Sequence, residues 1–461
     1  MAVRQTRIAG TFFPATQSDL DAEVQRLAAQ FDRMPTALPG APIAVIAPHA
    51  GYAYSGKLAA AAWSSTARTA PDRIAILSPS HHEAFDGLAV PTGHDAVAVP
   101  HKRVRIDTRA CQALIRSGLV HGFDRAFETE HGIDTQLPFA HHFHPKVPVV
   151  PIVIGRCAAQ TVARAIDRLA RVRGRTLFIL SSDLSHGLSE TAAKRLDRQT
   201  AVFVETGQVG QMTAETACGF RALSGWLLSA KGRGARALRF GMHAASGNTD
   251  CVVGYGSWAF FPPETDILDT PSRKALLLVS RRAIASRLEK GVPPVVNPDS
   301  FAVQMRTTMA CFVSLKRNGA LRGCVGSLTP KLSLVEDVAQ NAVRAAFGDR
   351  RFPALTAAEL DRLEVSISVM SRAMPLDVAD EADLIAQLTP LQGVAGVTLQ
   401  AGPRRGLFLP SVWSSLPEPE AFLAALKRKT GLAHVPWHDG MTIETFHTED
   451  FSDADWAEAA A

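Results

Sequence analysis

The chain has 461 residues, 46% hydrophobic and 20% charged, with a formal net charge of +5. That length leaves room for about two to four domains, each able to bury a core. No Lys/Arg run or basic aromatic stripe is present, so no nucleic-acid partner is expected, and no apolar run reaches the roughly 20 residues of a membrane span.

The first predicted element is a helix over 17–31 (QSDLDAEVQRLAAQF), followed by a strand at 42–47 (PIAVIA) and a helical pattern over 57–68. Strands follow at 73–78 (RIAILS) and 147–154 (VPVVPIVI), then a helix at 158–172 and strands at 176–181 (TLFILS) and 251–260. The first four strands are short, apolar and bounded by polar or turn residues, as buried strands of a parallel sheet are. Strands alternating with helices give an α/β sheet with helices on both faces, and the short helices favour an open sheet over a barrel. Near residue 261 the pattern changes. "FFPPETDILDTPSRK" reads as a proline-marked linker running into a helix cap at Thr270, Pro271 or Ser272. The expected domains are therefore 1–262 and 272–455, joined by a linker at 263–271. The second part reads as α+β. It starts with an amphipathic helix ended by Gly291, then two strands around an Asn-Gly turn (FVSLKRNGALRGCVGSL). A helix (LVEDVAQNAVRAAF) and an alternating strand (RLEVSISVM) follow.

Twelve of the fifteen histidines precede residue 260. Three apolar strands end by releasing polar groups: "PIAVIAPHAGY" ends in His49, "RIAILSPSHH" in His81 and His82, and "TLFILSSDLSHG" in Asp183 and His186. Ligands of open α/β sheets bind beyond the carboxyl ends of the strands, so these groups are expected to share one crevice. Two histidines with a carboxylate suit a non-haem Fe(II) ion, zinc accepts the same donors, and a further histidine can serve as general acid or base. "ETEHGIDTQLPFAHHFH" adds Glu130, His131 and Asp134 as pocket groups or as carboxylates that hold an imidazole. His82 reads as a neighbour of His81. His94, His101 and His121 read as solvated loop residues, and His141, His142 and His144 as a solvated helix end. A serine hydrolase built on Ser182 and His186 lacks the G-x-S-x-G elbow. The six cysteines, at 111, 157, 218, 251, 311 and 324, form no CxxC pair, and "MAVRQTRIAGTFFP" has no apolar leader. A reducing cytoplasmic setting is expected.

"AGTFFPA", "APHAGYAYSG", "SPSHH", "EHGIDTQLPF", "SSDLSHG" and "VVGYGSWAF" together resemble the Memo family over about residues 6–262. That family is similar in fold to the class III extradiol dioxygenases. The resemblance implies His49 and His81 as pocket ligands and His186 as the nearby acid/base histidine, with Asp183 beside it. The implied metal set is His49, His81 and His186, holding iron, copper or zinc. Some members supply a cysteine shortly before the last strand. The matching position here falls within Ser246–Asn248, and Cys251 comes several residues late. The family pattern usually has Glu where this chain has Asp134. The second part resembles the AMMECR family over about residues 272–448, through "FVSLKRNGALRGCVGSL", "NAVRAAFGDRRFPAL", "LEVSISVM" and "GLFLPSVW". Proteins of the two families are often encoded with a radical-SAM protein as the AmmeMemoRadiSam set. The resemblance thus implies a radical-SAM partner and an unassigned small-molecule or peptide substrate. The expectation is a non-haem metal-dependent oxidoreductase, with a non-catalytic scaffold that keeps the pocket as the alternative.

Cys324, in Arg322-Gly323-Cys324-Val325-Gly326, is the candidate catalytic thiol of the second part. The glycines permit close backbone approach or positive φ. Arg322 alongside would activate the thiol. No histidine lies between residues 244 and 433, so a Cys–His dyad within this part could use only His434, His438 or His447. Asp349, Arg350 and Arg351 of "FGDRRFP" form either a charged rim beside the motif or a helix-ending ion pair. The stretch is expected to line an exposed groove.

Overall fold

The computed structural model describes residues 2–32, 38–100, 102–245, 251–438 and 440–456. The chain forms two compact units, one of Met1–Ile267 with Ala302–Thr307 and one of Leu268–Phe301 with Thr308–Ala461.

The first unit is built on a nine-stranded sheet. Its strands are β1 (Ala44–Ala47), β2 (Arg73–Pro79), β3 (Leu88–Val90), β4 (His121–Gly122) and β5 (Val149–Ile154), then β6 (Thr176–Ser181), β7 (His186–Leu188), β8 (Arg236–Ala245) and β9 (Val252–Phe261). Their order is β7-β9-β1-β6-β2-β5-β3-β4, with β8 paired along β9. The centre, β1-β6-β2-β5, is parallel, and β9 joins β1 antiparallel. Every residue of β1 and β5 is buried, which is why these strands read as unbroken apolar runs rather than alternating ones. The helices include α1 (Gln17–Asp32), α2 (Tyr52–Ser65), α3 (Ala159–Ala170), α4 (Glu190–Thr206) and α5 (Phe220–Leu228). Helix α2 begins five residues earlier than its apolar pattern indicates. The helix begins right after Gly51, whose side chain cannot cap it, so no local signal marks the start. A small separate sheet joins Val3–Gln5, Ala96–Val99 and Lys102–Arg105.

The second unit holds two four-stranded sheets. In the first, β10 (Cys311–Arg317), β11 (Ala320–Gly326), β12 (Leu363–Met370) and β16 (Thr448–Ser452) run in the order β11-β10-β12-β16. In the second, β15 (Met441–Phe446) lies between Met374–Pro375 and β13 (Gly396–Ala401), with β14 (Arg404–Phe408) outermost. The helices are α6 (Thr270–Lys290), α7 (Leu334–Phe347), α8 (Glu381–Leu388) and α9 (Pro419–Lys429). Asp269 caps α6 by accepting from Ser272 N, and Gly291 ends it at φ 74°. The Asn318-Gly319 hairpin has both turn residues at positive φ, 51° and 76°, as a type I′ turn requires. Among the described residues, no helix is long and apolar enough to cross a membrane.

Candidate metal centre

Strands β1, β6 and β2 are adjacent in the sheet and end together. Two residues beyond each end stands a polar group: His49 after Ala47, Asp183 after Ser181, and His81 after Pro79. The topology thus brings the three tips into one crevice.

His49 is 1% exposed. The Ser181 hydroxyl donates its proton to Gly132 O at 2.6 Å, so the His49 Nδ1–H donates to Ser181 Oγ at 2.9 Å. Nε2 therefore carries the free lone pair. It faces Cys218 Sγ at 3.3 Å and Asp183 Oδ2 at 3.9 Å. Burial, with His81, His131 and His186 nearby, holds this imidazole well below the usual histidine range.

Glu130 fixes His81 in the same sense. Its carboxylate accepts from His81 Nδ1 at 2.7 Å and from the His81 amide at 2.8 Å, leaving Nε2 free. Glu130 also caps the single helical turn His131–Asp134 by accepting from Gly132 N at 2.8 Å. Burial pushes the Glu130 carboxyl upward, but the hydrogen bonds from His81 and Gly132 outweigh it and hold it below the usual range. His131 completes a triangle. Its ring lies 4.3 Å from that of His81 and 5.4 Å from that of His49, centroid to centroid. Burial and then the neighbouring His81 push its pKa down to about 4. One donor atom from each of His49, His81 and His131 lies within 4.8 Å of the other two. Nitrogens about 2.0–2.1 Å from one tetrahedral ion sit about 3.4 Å apart, so small side-chain rotations close the set. Three imidazoles, two with Nδ1 tied to a carboxylate or hydroxyl, are a donor set that fits a transition-metal ion.

The other motif residues hold this triangle in place. Gln136 accepts from Trp63 Nε1 at 2.8 Å and donates to Pro48 O and Ser181 Oγ, and Tyr52 donates its hydroxyl to Thr135 O. Gly132 is required because a Cβ there would lie 2.1 Å from Ser78 Oγ and 3.2 Å from His49 Nδ1.

The remaining candidates divide. Asp183 accepts from the His49 amide at 2.8 Å, and burial raises its pKa to about 7. His186 lies at the edge in β7, with Nδ1 donating to Leu184 O at 2.9 Å. It interacts electrostatically with His49 and His81 but lies outside the triangle. Asp134 is paired with Arg4 in a buried ion pair and does not hold an imidazole. Ser182 is fully buried, donating to Asp183 O and accepting from Gly219 N, so it cannot serve as a nucleophile. His144 is buried against Thr66 Oγ1 at 2.9 Å, not solvated as expected, because the chain folds back under α2 there. His121 is exposed and bonds Asp86 O, and His94 lies 3.5 Å from Asp124. Cys251 is exposed. His101 and Ser246–Asn248 lie outside the described residues. Two participants go beyond the expectation: His131 is a ligand candidate and not just a pocket group, and Cys218, in the turn before α5, carries no sequence signal for the site.

Residues 4–259 match the family described as Memo-like protein. The chain belongs to the Memo-like family. Residues 277–451 match the AMMECR1 family, so the second unit is an AMMECR1 domain. A MEMO1 family protein of Pyrobaculum arsenaticum is 29% identical over 285 residues, covering 56% of this chain and 99% of the relative. One of Methanococcoides burtonii is 28% identical over 272 residues, covering 55% and 98%. An uncharacterized protein of Pyrococcus horikoshii, known from a crystal structure, is 29% identical, with 39% of this chain and 90% of that chain covered and a TM-score of 0.35.

Proposed function

We propose that the Memo-like unit binds one iron, copper or zinc ion on His49, His81 and His131 and works on a substrate held in the crevice beyond β1, β6 and β2. The observation that carries this reading is the pair of fixed imidazoles: Ser181 and Glu130 occupy both Nδ1 atoms and leave both Nε2 lone pairs to a shared ligand. A bound ion would supply Lewis acidity and open coordination positions. The protein's own groups bind, orient and move protons. Asp183, with a pKa near 7, holds a proton beside His49, and His186 stands at the mouth as acid or base. The likeness in fold to class III extradiol dioxygenases supports an oxidoreductase of non-haem metal type. The union of a Memo unit with an AMMECR1 unit supports a place in the AmmeMemoRadiSam set, beside a radical-SAM partner and on a small-molecule or peptide substrate.

The test is metal content of untagged protein purified anaerobically. His49→Ala and His81→Ala should each lower bound metal at least about tenfold, and His186→Ala should lower it less. A second reading, a non-catalytic scaffold, is favoured by one contact: Cys218 Sγ sits 3.3 Å from His49 Nε2 and can itself satisfy that lone pair. Unchanged metal content in both ligand variants would select the scaffold.

A further inference from the structure

The AMMECR1 unit carries a second cluster, apart from the metal centre and built on "LRGCVGS". Its strand, β11, is the edge of its sheet. The two glycines are packing devices. A Cβ on Gly323 would lie 2.2 Å from Ala345 O of α7, and one on Gly326 would lie 2.4 Å from the Phe312 ring. Gly323 thus faces α7, and by strand alternation Cys324 faces away from it. Cys324, Ser314, Ser366 and Ser452 are successive register partners, one row across all four strands. Each of the four is half-buried rather than sealed. Within the row Ser314 Oγ donates to Cys324 Sγ at 3.2 Å. One row along, Phe312 packs against the buried cluster of Ala310, Met370, Leu407 and Phe446.

Two cations on separate elements stand near Cys324, one of them bonded to its backbone. Arg351 follows α7 and is gripped by Asp349 at 2.7 and 3.0 Å. Asp349 also takes the Cys324 amide at 2.9 Å, and Arg351 Nη2 reaches Cys324 O at 3.4 Å. The rim expected from "FGDRRFP" is therefore tied to the cysteine's own backbone. Lys429 ends α9, sits 4.9 Å over the Phe408 ring, and donates to Leu407 O at 2.8 Å. An ammonium has three donors, so others remain for a ligand. Burial lowers its pKa, while the neighbouring Cys324 raises it and Arg351 lowers it. Arg322, the cation expected there, is instead bound to Glu359 at 2.8 and 3.2 Å.

We propose that Cys324 is the nucleophile of a second reactive site, and that Arg351 and Lys429 select a carbon electrophile carrying a carboxylate or phosphate. In the step, Sγ forms a bond to the electrophilic carbon, and the bond to the leaving group breaks with its electron pair. The thiol proton passes to water, and no oxidant or reductant is consumed. Cys157 and Cys218 are half-buried like Cys324, whereas three other thiols differ in setting. Cys111 and Cys311 are buried, with burial pushing Cys111 up to about 12, and Cys251 is exposed.

The test labels the native full chain with iodoacetate, which is anionic, or with neutral iodoacetamide, and reads each cysteine by peptide mass spectrometry. The iodoacetate-to-iodoacetamide rate ratio at Cys324 should exceed that at Cys251 by at least about tenfold, the lower range for electrostatic focusing of an anion. Lys429→Met should bring the ratio toward that of Cys251, Lys429→Arg should retain it, and inorganic phosphate should compete. Labelling of Cys324 only after unfolding would overturn the proposal. So would a ratio equal to that of Cys251 in a natively folded chain.

Discussion

Glu130→Gln tests the metal centre at its most sharply defined point. One carboxylate accepts three hydrogen bonds, from His81 N, His81 Nδ1 and Gly132 N, at 2.7–2.8 Å. A glutamine has one acceptor oxygen and one NH₂, so one side of the group must now face a donor. If the oxygen takes Nδ1 and Gly132 N, the amide opposes the His81 N–H. If it is reversed, the NH₂ faces Nδ1, and His81 can answer only by moving its own proton to Nε2, the atom a metal would need. Either outcome weakens His81 as a ligand. Loss of a carboxylate holding a ligand histidine costs about 10–100-fold in affinity, or about 1.4–2.8 kcal/mol at 1.4 kcal/mol per tenfold. Zinc titration of the full chain against a competing chelator measures this directly. A variant that folds and binds zinc within about twofold of the parent would refute the reasoning: Glu130 would then be a helix cap and His81 no ligand.

Three further outcomes follow from the same packing. Gly132→Ala should disturb both Ser78 and His49, costing about 1–3 kcal/mol in a melt together with metal affinity; a melt equal to the parent's would show that the turn can shift freely. Arg4→Met strands Asp134, 2% exposed at its side chain, and should destabilise the Memo-like unit by about 3–5 kcal/mol in urea; a loss under about 1 kcal/mol would mean that water reaches the carboxylate. The last concerns pH. An unfolded histidine titrates near 6.5 and folded His131 near about 4, so the unfolded chain takes up the proton first. The stability held by neutral His131 is complete above about pH 6.5 and is lost as pH falls toward about 4, and His49 shifts in the same direction. Metal-free protein should melt lower at about pH 5 than at about pH 7.5, and His131→Gln should narrow the gap; an unaltered gap would locate the pH dependence elsewhere.

How much of this was legible in the chain depends on how local each signal is. His49 and His81 could be read because an apolar run that stops at a polar pair is a local event, and the fold sends such tips to one edge of the sheet. His131 could be placed near the pocket but not among the ligands. It opens a helical turn instead of ending a strand, and contacts distant in sequence, Glu130–His81 and Ser181–Gly132, each 49 residues apart, bring it in. Cys218 gave no signal at all, since a single cysteine in a turn looks like any other. Strand β8 was unread because most of its residues are half-buried, giving neither an unbroken apolar run nor alternation. The Asn318-Gly319 turn was read correctly because two residues carry its whole instruction. Arg322 was assigned to the wrong partner for the opposite reason: Glu359, its acceptor, lies 37 residues away.

The triangle of imidazoles has a closed end and an open one. His49 is 1% exposed and backed by Cys218 and Asp183, whereas the side chains of His81 and His131 are 23% and 18% exposed. Traffic in and out of the crevice therefore runs one way, past His81. A bulky chelator can engage an ion only from that side, so removal should begin with loss of the His81 and His131 contacts while His49 lets go last. Cys218 Sγ stands 3.3 Å from His49 Nε2, so bound metal should slow the reaction of that thiol with a small uncharged reagent. The order of events at this centre is thus set by which wall of the crevice is missing.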